Sequence, residues 1–139
     1  MSNNFSPDLP VPAISAIRVL AFGYDRMLVA VRTSVLRQSG YEVEEAFSLI
    51  EALPRAQSDS IDAILICHSV PDGEIGKLAA VVRQTRLRMP ILCIRTHQYG
   101  FAPRSCVPVD NTPAAILRAL QAAVQSYKPP NRSRLRLAS

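Results

Sequence analysis

Short apolar runs alternate with amphipathic segments along the middle of this chain. The runs predict five strands, over residues 18–22, 41–44, 61–67, 90–94 and 105–107. The second run alternates polar and apolar positions, which is typical of an edge strand with one face in water. The third run is apolar at almost every position, which indicates a strand that is covered on both faces of a parallel sheet.

The amphipathic segments between these runs predict helices. The first covers residues 26–39, with Asp25 placed to cap its first turn and Gly40 placed to end it. Its apolar residues recur at four-residue spacing, at Met27, Val31 and Val35.

Two more helices are predicted before the fourth strand. Ser48 and Glu51 have the spacing of a capping box, which opens the second helix, and Pro54 kinks or shortens that helix. The third helix lies near residues 74–87, after a Pro-Asp-Gly sequence that is typical of a turn.

The last helix has the clearest beginning, because Thr112 is placed as its cap and Pro113 as its first residue. It carries an apolar stripe made of Ile116, Leu117, Leu120 and Val124. Strands separated by helices predict an α/β fold with a parallel sheet that helices cover on both faces.

Five strand–helix units in a chain of 139 residues favour a flavodoxin-like doubly wound domain with a five-stranded parallel sheet in the order 2-1-3-4-5. The connection between the fourth and fifth strands, residues 96–104, contains Gly100 and Pro103. It is too short for a full crossover helix, so the fourth helix is predicted to be short or missing. In such folds a ligand site lies at the carboxyl ends of the strands.

The charge is distributed unevenly. The net charge is +5, and residues 128–139 carry four basic residues and no acid. Residues 1–16 are rich in proline and contain one acid, whereas residues 17–127 are close to neutral. We therefore expect one domain over 17–127, a disordered N-terminal extension over 1–16 and a basic disordered tail over 128–139.

Several classes of function have no sequence support. Three cysteines without a C-x-x-C pair predict neither a disulfide framework nor a zinc site, and no secretory signal or membrane-spanning run is found. A cytoplasmic, reduced protein is therefore expected. A glycine-rich phosphate loop and a nucleophile elbow are also missing, so no enzyme activity and no cofactor are predicted.

One stretch resembles a known family. The sequence from Asp62 to Pro71, Asp-Ala-Ile-Leu-Ile-Cys-His-Ser-Val-Pro, is similar to the third-strand signature of response-regulator receiver domains, the CheY-like domains. The match extends to the Gly-Tyr-Glu-Val turn at 40–43, to Pro90 and to Val107-Pro108. The resemblance implies a signalling module of a two-component or phosphorelay system.

The same resemblance implies that the phosphorylation chemistry is lost. Receivers use an Asp nucleophile, two acids that hold Mg²⁺, a Thr or Ser, and a Lys. The corresponding positions of this chain are Cys67, Gly23 and Tyr24, Arg95, and Val107. Without these groups nothing holds the hard metal ion or neutralises a transferring phosphoryl group, so we expect no metal site and a degenerate pseudo-receiver.

Two acids remain near the predicted site. Asp25 is read as a helix cap and Asp72 as a turn residue, so neither is expected to hold a metal by itself. Arg95 is expected either to pair with one of these two acids, which would lock the site in one conformation, or to face solvent.

The leading hypothesis is a receiver-like module that works by protein–protein interaction and is independent of phosphorylation. Its partner is unknown, with a histidine kinase or another signalling protein as the candidates; a homodimer is left open, no membrane partner is expected and nucleic acid is disfavoured. One alternative is a thiol-based redox switch at Cys67, although His68 beside it should point to the opposite face. The other is a nucleic-acid accessory protein that uses the Arg-rich tail.

Overall fold

The computed structural model describes residues 16–95 and 106–127. This part of the chain contains five strands and four helices. The strands are β1 (Arg18–Phe22), β2 (Glu42–Ala46), β3 (Ala63–Ile66), β4 (Ile91–Arg95) and β5 (Val107–Asp110). The helices are α1 (Arg26–Gln38), α2 (Leu49–Ala56), α3 (Asp72–Thr85) and α4 (Pro113–Ser126).

All strand pairs are parallel, and the order across the sheet is β2-β1-β3-β4-β5. In chain-order numbers this is 2-1-3-4-5, so the predicted flavodoxin-like fold is confirmed. One cluster of buried side chains joins α2 and α3 to the sheet, and a second cluster on the opposite face joins α1 and α4 to it. Alternate residues of the central strands contribute to the two clusters, which is why those strands are apolar at every position.

The strand β2 is an edge strand, as its alternating pattern predicts. Val43 and Ala46 are buried, and Glu42 is exposed. The Arg18 guanidinium bridges Glu42, at 2.7 Å, and Glu44, at 3.0 Å. This ion-pair network covers the polar face of the edge and discourages pairing with another strand.

The helix α1 begins where the cap predicts, but it buries a different face. The residues that pack on the sheet are Val29, Thr33 and Leu36, whereas Met27 is 79% exposed and Val31 is 54% exposed. The helix carries apolar residues on more than one face, and four-residue spacing cannot decide which of them meets the sheet. The exposed stripe is therefore a surface feature rather than part of the core.

The other helices follow their capping residues closely. Ser48 Oγ accepts from the Glu51 N–H at 3.2 Å, and the Glu51 carboxylate accepts from the Phe47 N–H at 2.8 Å. Helix α3 begins at Asp72, two residues before its predicted start, because Pro71 itself occupies the cap position. In α4 the Thr112 hydroxyl accepts from the Ala115 N–H at 3.1 Å, and the predicted stripe faces the sheet.

The strand β5 lies two residues later than the sequence predicts. It spans Val107–Asp110 and includes Pro108, which lies directly after the strand predicted over 105–107. Proline is tolerated here because, within the described sheet, β5 is an edge strand with β4 as its one neighbour.

The expectation that the cysteines form no disulfide is wrong. Cys93 in β4 and Cys106 directly before β5 form a disulfide, with their Cα atoms 6.1 Å apart. Thirteen positions separate them in the sequence, and only the pairing of β4 with β5 brings them together. Cys67 is a free thiol.

The two predicted terminal extensions lie outside the described residues, apart from Ala16. Residues 96–105, where the fourth helix is predicted to be short or missing, lie outside them as well. Among the described residues, no helix is long and apolar enough to cross a membrane.

Candidate functional site

The carboxyl ends of β1 and β3 meet at the switch point of the sheet, where the strand order reverses. Gly23 follows β1 and Cys67 follows β3, and the Cys67 N–H donates to the Phe22 carbonyl at 2.8 Å. The Gly23 N–H donates to the Ala46 carbonyl at 3.1 Å, which ties the same loop to β2. Gly23 and Cys67 are thus held next to each other by backbone hydrogen bonds.

The space around Gly23 is full. A Cβ atom built on Gly23 would lie 2.8 Å from Cys67 Cβ and 2.9 Å from Val29 Cγ2. Both neighbours are buried, so neither can move aside cheaply. No residue with a side chain fits at position 23 unless these neighbours shift.

The Cys67 thiol is buried against α1, with 1% of the residue exposed. The pKa of Cys67 is raised from its ordinary value of 9.0 to about 11, mainly by burial; the charge of Arg32 partly opposes the rise, and that of Asp25 adds to it. A reactive thiol needs the opposite surroundings, namely partial exposure and a lowered pKa. The geometry therefore argues against the redox switch at Cys67 that the sequence left open.

A testable consequence concerns the pH dependence of stability. Between about pH 9 and 11 the thiol of Cys67 is ionised in the unfolded chain but still neutral in the folded protein. Below pH 9 we expect the thiol of Cys67 to leave the free energy of unfolding independent of pH. As the pH rises from 9 towards 11, the free energy of unfolding should fall by about 1 kcal/mol per pH unit. Denaturant titrations of the wild type and of Cys67→Ala, compared at each pH, isolate this contribution.

Alkylation at pH 7.5 gives the second readout of the same prediction. Iodoacetamide should modify Cys67 only after the protein is unfolded in guanidinium. Native-state alkylation at the rate of a small free thiol, or parallel pH profiles for the wild type and Cys67→Ala, would contradict a buried neutral thiol.

Tyr24 links the loop after β1 to the turn after β3. Its N–H donates to Ser69 Oγ at 3.1 Å, and its hydroxyl donates to the carboxylate of Glu74 in the first turn of α3. The hydrogen bond to Glu74 is the main cause of the raised pKa of Tyr24, and partial burial adds to it. The ring also packs edge-to-face on Phe22, with centroids 5.9 Å apart. Nothing in the sequence signals the contacts of Ser69 and Glu74 with Tyr24, because only the sheet brings these residues together.

Arg95 pairs with Asp72 across the same edge of the sheet. The sequence left open whether Arg95 pairs with one of the two acids or faces solvent. In the structure Arg95 Nη1 lies 3.1 Å from Asp72 Oδ1, so Arg95 pairs with Asp72. The Arg95 side chain is 12% exposed and that of Asp72 is 59% exposed. Because the carboxylate remains largely in water, the pair contributes no more than about 1 kcal/mol to stability.

Asp25 acts as the cap of α1. Its Oδ1 accepts from the N–H groups of Met27, at 3.0 Å, and Leu28, at 3.2 Å. One turn into the same helix, Arg32 donates to the side chain of Asn111, which follows β5. This contact joins α1 to the β5–α4 connection, and nothing in the spacing of the two residues along the chain signals it.

Val107 does not lie at the carboxyl edge. It begins β5 opposite Leu92 and is 54% exposed, and the carboxyl end of β5 is Asp110, in register with Arg95. The later start of β5 is the reason, since it places Val107 near the opposite end of the strand. Gly23, Tyr24, Cys67 and Arg95 all follow or end strands at the carboxyl edge, but Val107 is not part of this group.

The residues at this edge do not fit a magnesium ion. Gly23 and Tyr24 offer no carboxylate, Asp25 caps a helix, and Asp72 is paired with a guanidinium. Within residues 16–95 and 106–127, no three His, Cys, Asp or Glu side chains are grouped as a metal site would require. Magnesium prefers several oxygen ligands and water in an octahedral arrangement, and these side chains do not supply them.

Neither a protein-family model nor a curated protein matches this sequence. Solved structures do match it. The chemotaxis protein CheY4 of Vibrio cholerae is 26% identical, with a TM-score of 0.66, and the match covers 78% of this chain and 99% of that one. A response regulator receiver protein from Sinorhizobium medicae is 21% identical, with a TM-score of 0.64, covering 81% and 97%.

A third similar structure is the receiver domain of a sensor histidine kinase from Pseudomonas aeruginosa, with magnesium coordinated in its active-site cleft. It is 18% identical, with a TM-score of 0.66, and the match covers 80% of this chain and 99% of that domain. The strand order, the helices on both faces and these similarities agree. This chain has the fold of the response-regulator receiver domains of two-component signalling.

Proposed function

We propose that this chain is a phosphorylation-independent receiver module that acts by protein–protein interaction in a two-component or phosphorelay system. The observation that carries the proposal is the filled space at Gly23. A receiver needs a carboxylate there to hold its metal, and here the Cβ of any such residue would meet Cys67 Cβ at 2.8 Å. The site is therefore closed by packing as well as changed in chemistry.

The charges at the same edge support the proposal. In a receiver this edge changes charge when a phosphoryl group arrives. Here the Arg95 guanidinium already supplies a permanent positive charge, and Asp72 partners it. Because this positive charge does not depend on the arrival of a phosphoryl group, we infer that the site does not change conformation through phosphorylation.

An exposed apolar stripe supports action through a protein partner. Met27 and Val31 lie one turn apart on α1 and are 79% and 54% exposed. Tyr24, 41% exposed, lies just before the same helix. We assign the stripe formed by Tyr24, Met27 and Val31 as the partner-binding surface. The partner that we assign to it is a histidine kinase or another signalling protein. We also expect a cytoplasmic protein without enzyme activity of its own.

Incubation with acetyl phosphate and Mg²⁺ tests the phosphorylation part of the proposal. We expect no protein-bound phosphate, because Cys67 is buried and the side chains at this edge do not hold the metal. Intact-mass spectrometry in acid measures the result, and a receiver with the complete acid set, treated in parallel, shows that the donor is active. A hydroxylamine-sensitive phosphate on this chain would refute phosphorylation independence.

Charge substitution on the stripe tests the interaction part. We expect Met27→Glu to weaken binding to a histidine kinase from the same genome by about tenfold or more, because a carboxylate would be desolvated in the contact. Leu87→Glu is the matched control, since Leu87 is 75% exposed but lies in the loop after α3. Titration calorimetry measures both. Equal binding by the two variants and the wild type would remove the stripe from the proposal.

A further inference from the structure

The disulfide joins the weakest strand of the sheet to its neighbour. Strand β5 has four residues, pairs only with β4 and contains Pro108, which has no N–H to donate. Of its four residues only Val109 is buried. Short edge strands with few buried side chains open at low free energy, so a covalent link at the start of β5 changes how firmly it is held.

The two cysteines differ in exposure. Cys93, in the middle of β4, is 1% exposed, whereas Cys106, directly before β5, is 8% exposed. Both belong to the cluster on the α2–α3 face of the sheet. Of the two residues Cys106 is the more exposed, so an external thiolate has more access to Cys106 than to Cys93.

The third cysteine cannot take part in the exchange. Cys67 belongs to the cluster on the opposite face of the sheet, with α1 and α4. The sheet separates it from the disulfide, so the thiol chemistry of this chain is confined to one pair. Disulfides in the reducing compartment that the sequence predicts are typically transient and regulatory rather than structural.

We infer that the Cys93–Cys106 disulfide is a reversible exchange site for a dithiol reductant and controls how firmly β5 is attached to the sheet. A thiolate of the dithiol attacks Cys106 Sγ, which forms a mixed disulfide and releases Cys93 as a thiolate that takes up a proton. The second thiol of the reductant then loses its proton and attacks the reductant sulfur of the mixed disulfide. Cys106 leaves as a thiolate that is protonated; the protein gains two electrons and two protons, and the dithiol becomes a cyclic disulfide.

Release of β5 from the sheet would change contacts at the candidate site. Asp110, at the end of β5, is in register with Arg95, and Asn111, the next residue, accepts from Arg32 of α1. Loosening β5 therefore removes an anchor of α1, the helix that carries the proposed partner-binding surface. This redox control is independent of the proposed phosphorylation independence, and either can fail without the other.

The test compares full-length protein equilibrated in oxidised and in reduced dithiothreitol. In the reduced sample we expect Cys93 and Cys106 to become alkylatable while Cys67 stays protected. On reduction, the amides of Val107 and Val109 should exchange about tenfold faster or more, through local opening of β5, while the amides of β1 and β3 still exchange only on global unfolding and remain slower. Return to oxidised dithiothreitol should restore the slow exchange.

The variant Cys106→Ser provides a matched comparison, because its β5 amides should exchange like those of the reduced wild type in both buffers. Unchanged exchange in β5 on reduction would overturn the inference. Exchange of β5, β1 and β3 at one common rate in the reduced protein would overturn it as well, since β5 would then open only together with the whole fold. A disulfide that dithiothreitol cannot reduce without denaturant would have the same consequence.

Discussion

Replacing Gly23 by alanine is expected to destabilise the folded protein by about 1–3 kcal/mol, the usual cost of forcing an extra group into a packed core. The added Cβ would meet Cys67 Cβ at 2.8 Å and Val29 Cγ2 at 2.9 Å. Neither contact is with the end of a flexible side chain, so the backbone of β1 or α1 has to move. Denaturant unfolding followed by circular dichroism measures the loss.

Gly76→Ala is the matched control for this substitution. Gly76 lies inside α3, and a Cβ there would have nothing within 4 Å. Alanine at an open helical position should stabilise the protein by roughly 0.5–1 kcal/mol, so the two glycine replacements should have opposite signs. A Gly23→Ala variant as stable as the wild type would show that the space between β1, β3 and α1 is not filled.

The same contact has a consequence for any attempt to restore a receiver site. Gly23→Asp would place a carboxylate where a receiver holds its metal, but the Cβ of that residue meets the same two neighbours. Replacing Cys67 by aspartate would not relieve the contact, because aspartate keeps a Cβ. Simple back-substitution is thus expected to yield a destabilised protein rather than a phosphorylatable one.

Loss of the disulfide is expected to have the second large effect. Opening a covalent loop whose ends are 13 positions apart raises the entropy of the unfolded chain, and this lowers the free energy of unfolding by about 3 kcal/mol. For a domain of this size the melting temperature falls by on the order of 10 °C. Thermal unfolding of the oxidised and the reduced wild type measures the difference.

The variant Cys106→Ser separates the covalent link from the side effects of the reductant. Its melting temperature should be the same with and without dithiothreitol and close to that of the reduced wild type. A wild type that melts at one temperature under both conditions would mean that the link does not stabilise this fold.

Much of the fold could be predicted from local signals. The caps Asp25, Ser48 and Thr112 each begin a helix at the predicted residue, because a side-chain oxygen next to free N–H groups is a local interaction. The apolar runs also predict β1, β3 and β4 to within a few residues, since a strand buried on both faces shows itself in its own composition. The alternating sequence at β2 predicts an edge strand, because a strand with one face in water alternates polar and apolar residues.

The site was predictable in outline but not in its contacts. The order of strands in the doubly wound fold places Gly23, Cys67 and Arg95 at one edge, and the structure has them there. The sequence could not show that Gly23 is enclosed by Cys67 and Val29, or that Arg95 pairs with Asp72. These contacts depend on side-chain directions and on the depth of packing, and neither is written in residue spacing.

The sequence by itself determined the alternation of strands and helices and the parallel sheet, because both follow from residue type and local order. Tertiary structure alone decided three other features. It selected which face of α1 is buried, it started β5 at Val107, and it joined Cys93 to Cys106. Each of these depends on which neighbour a segment meets across the sheet, and that neighbour lies far away along the chain or on another element.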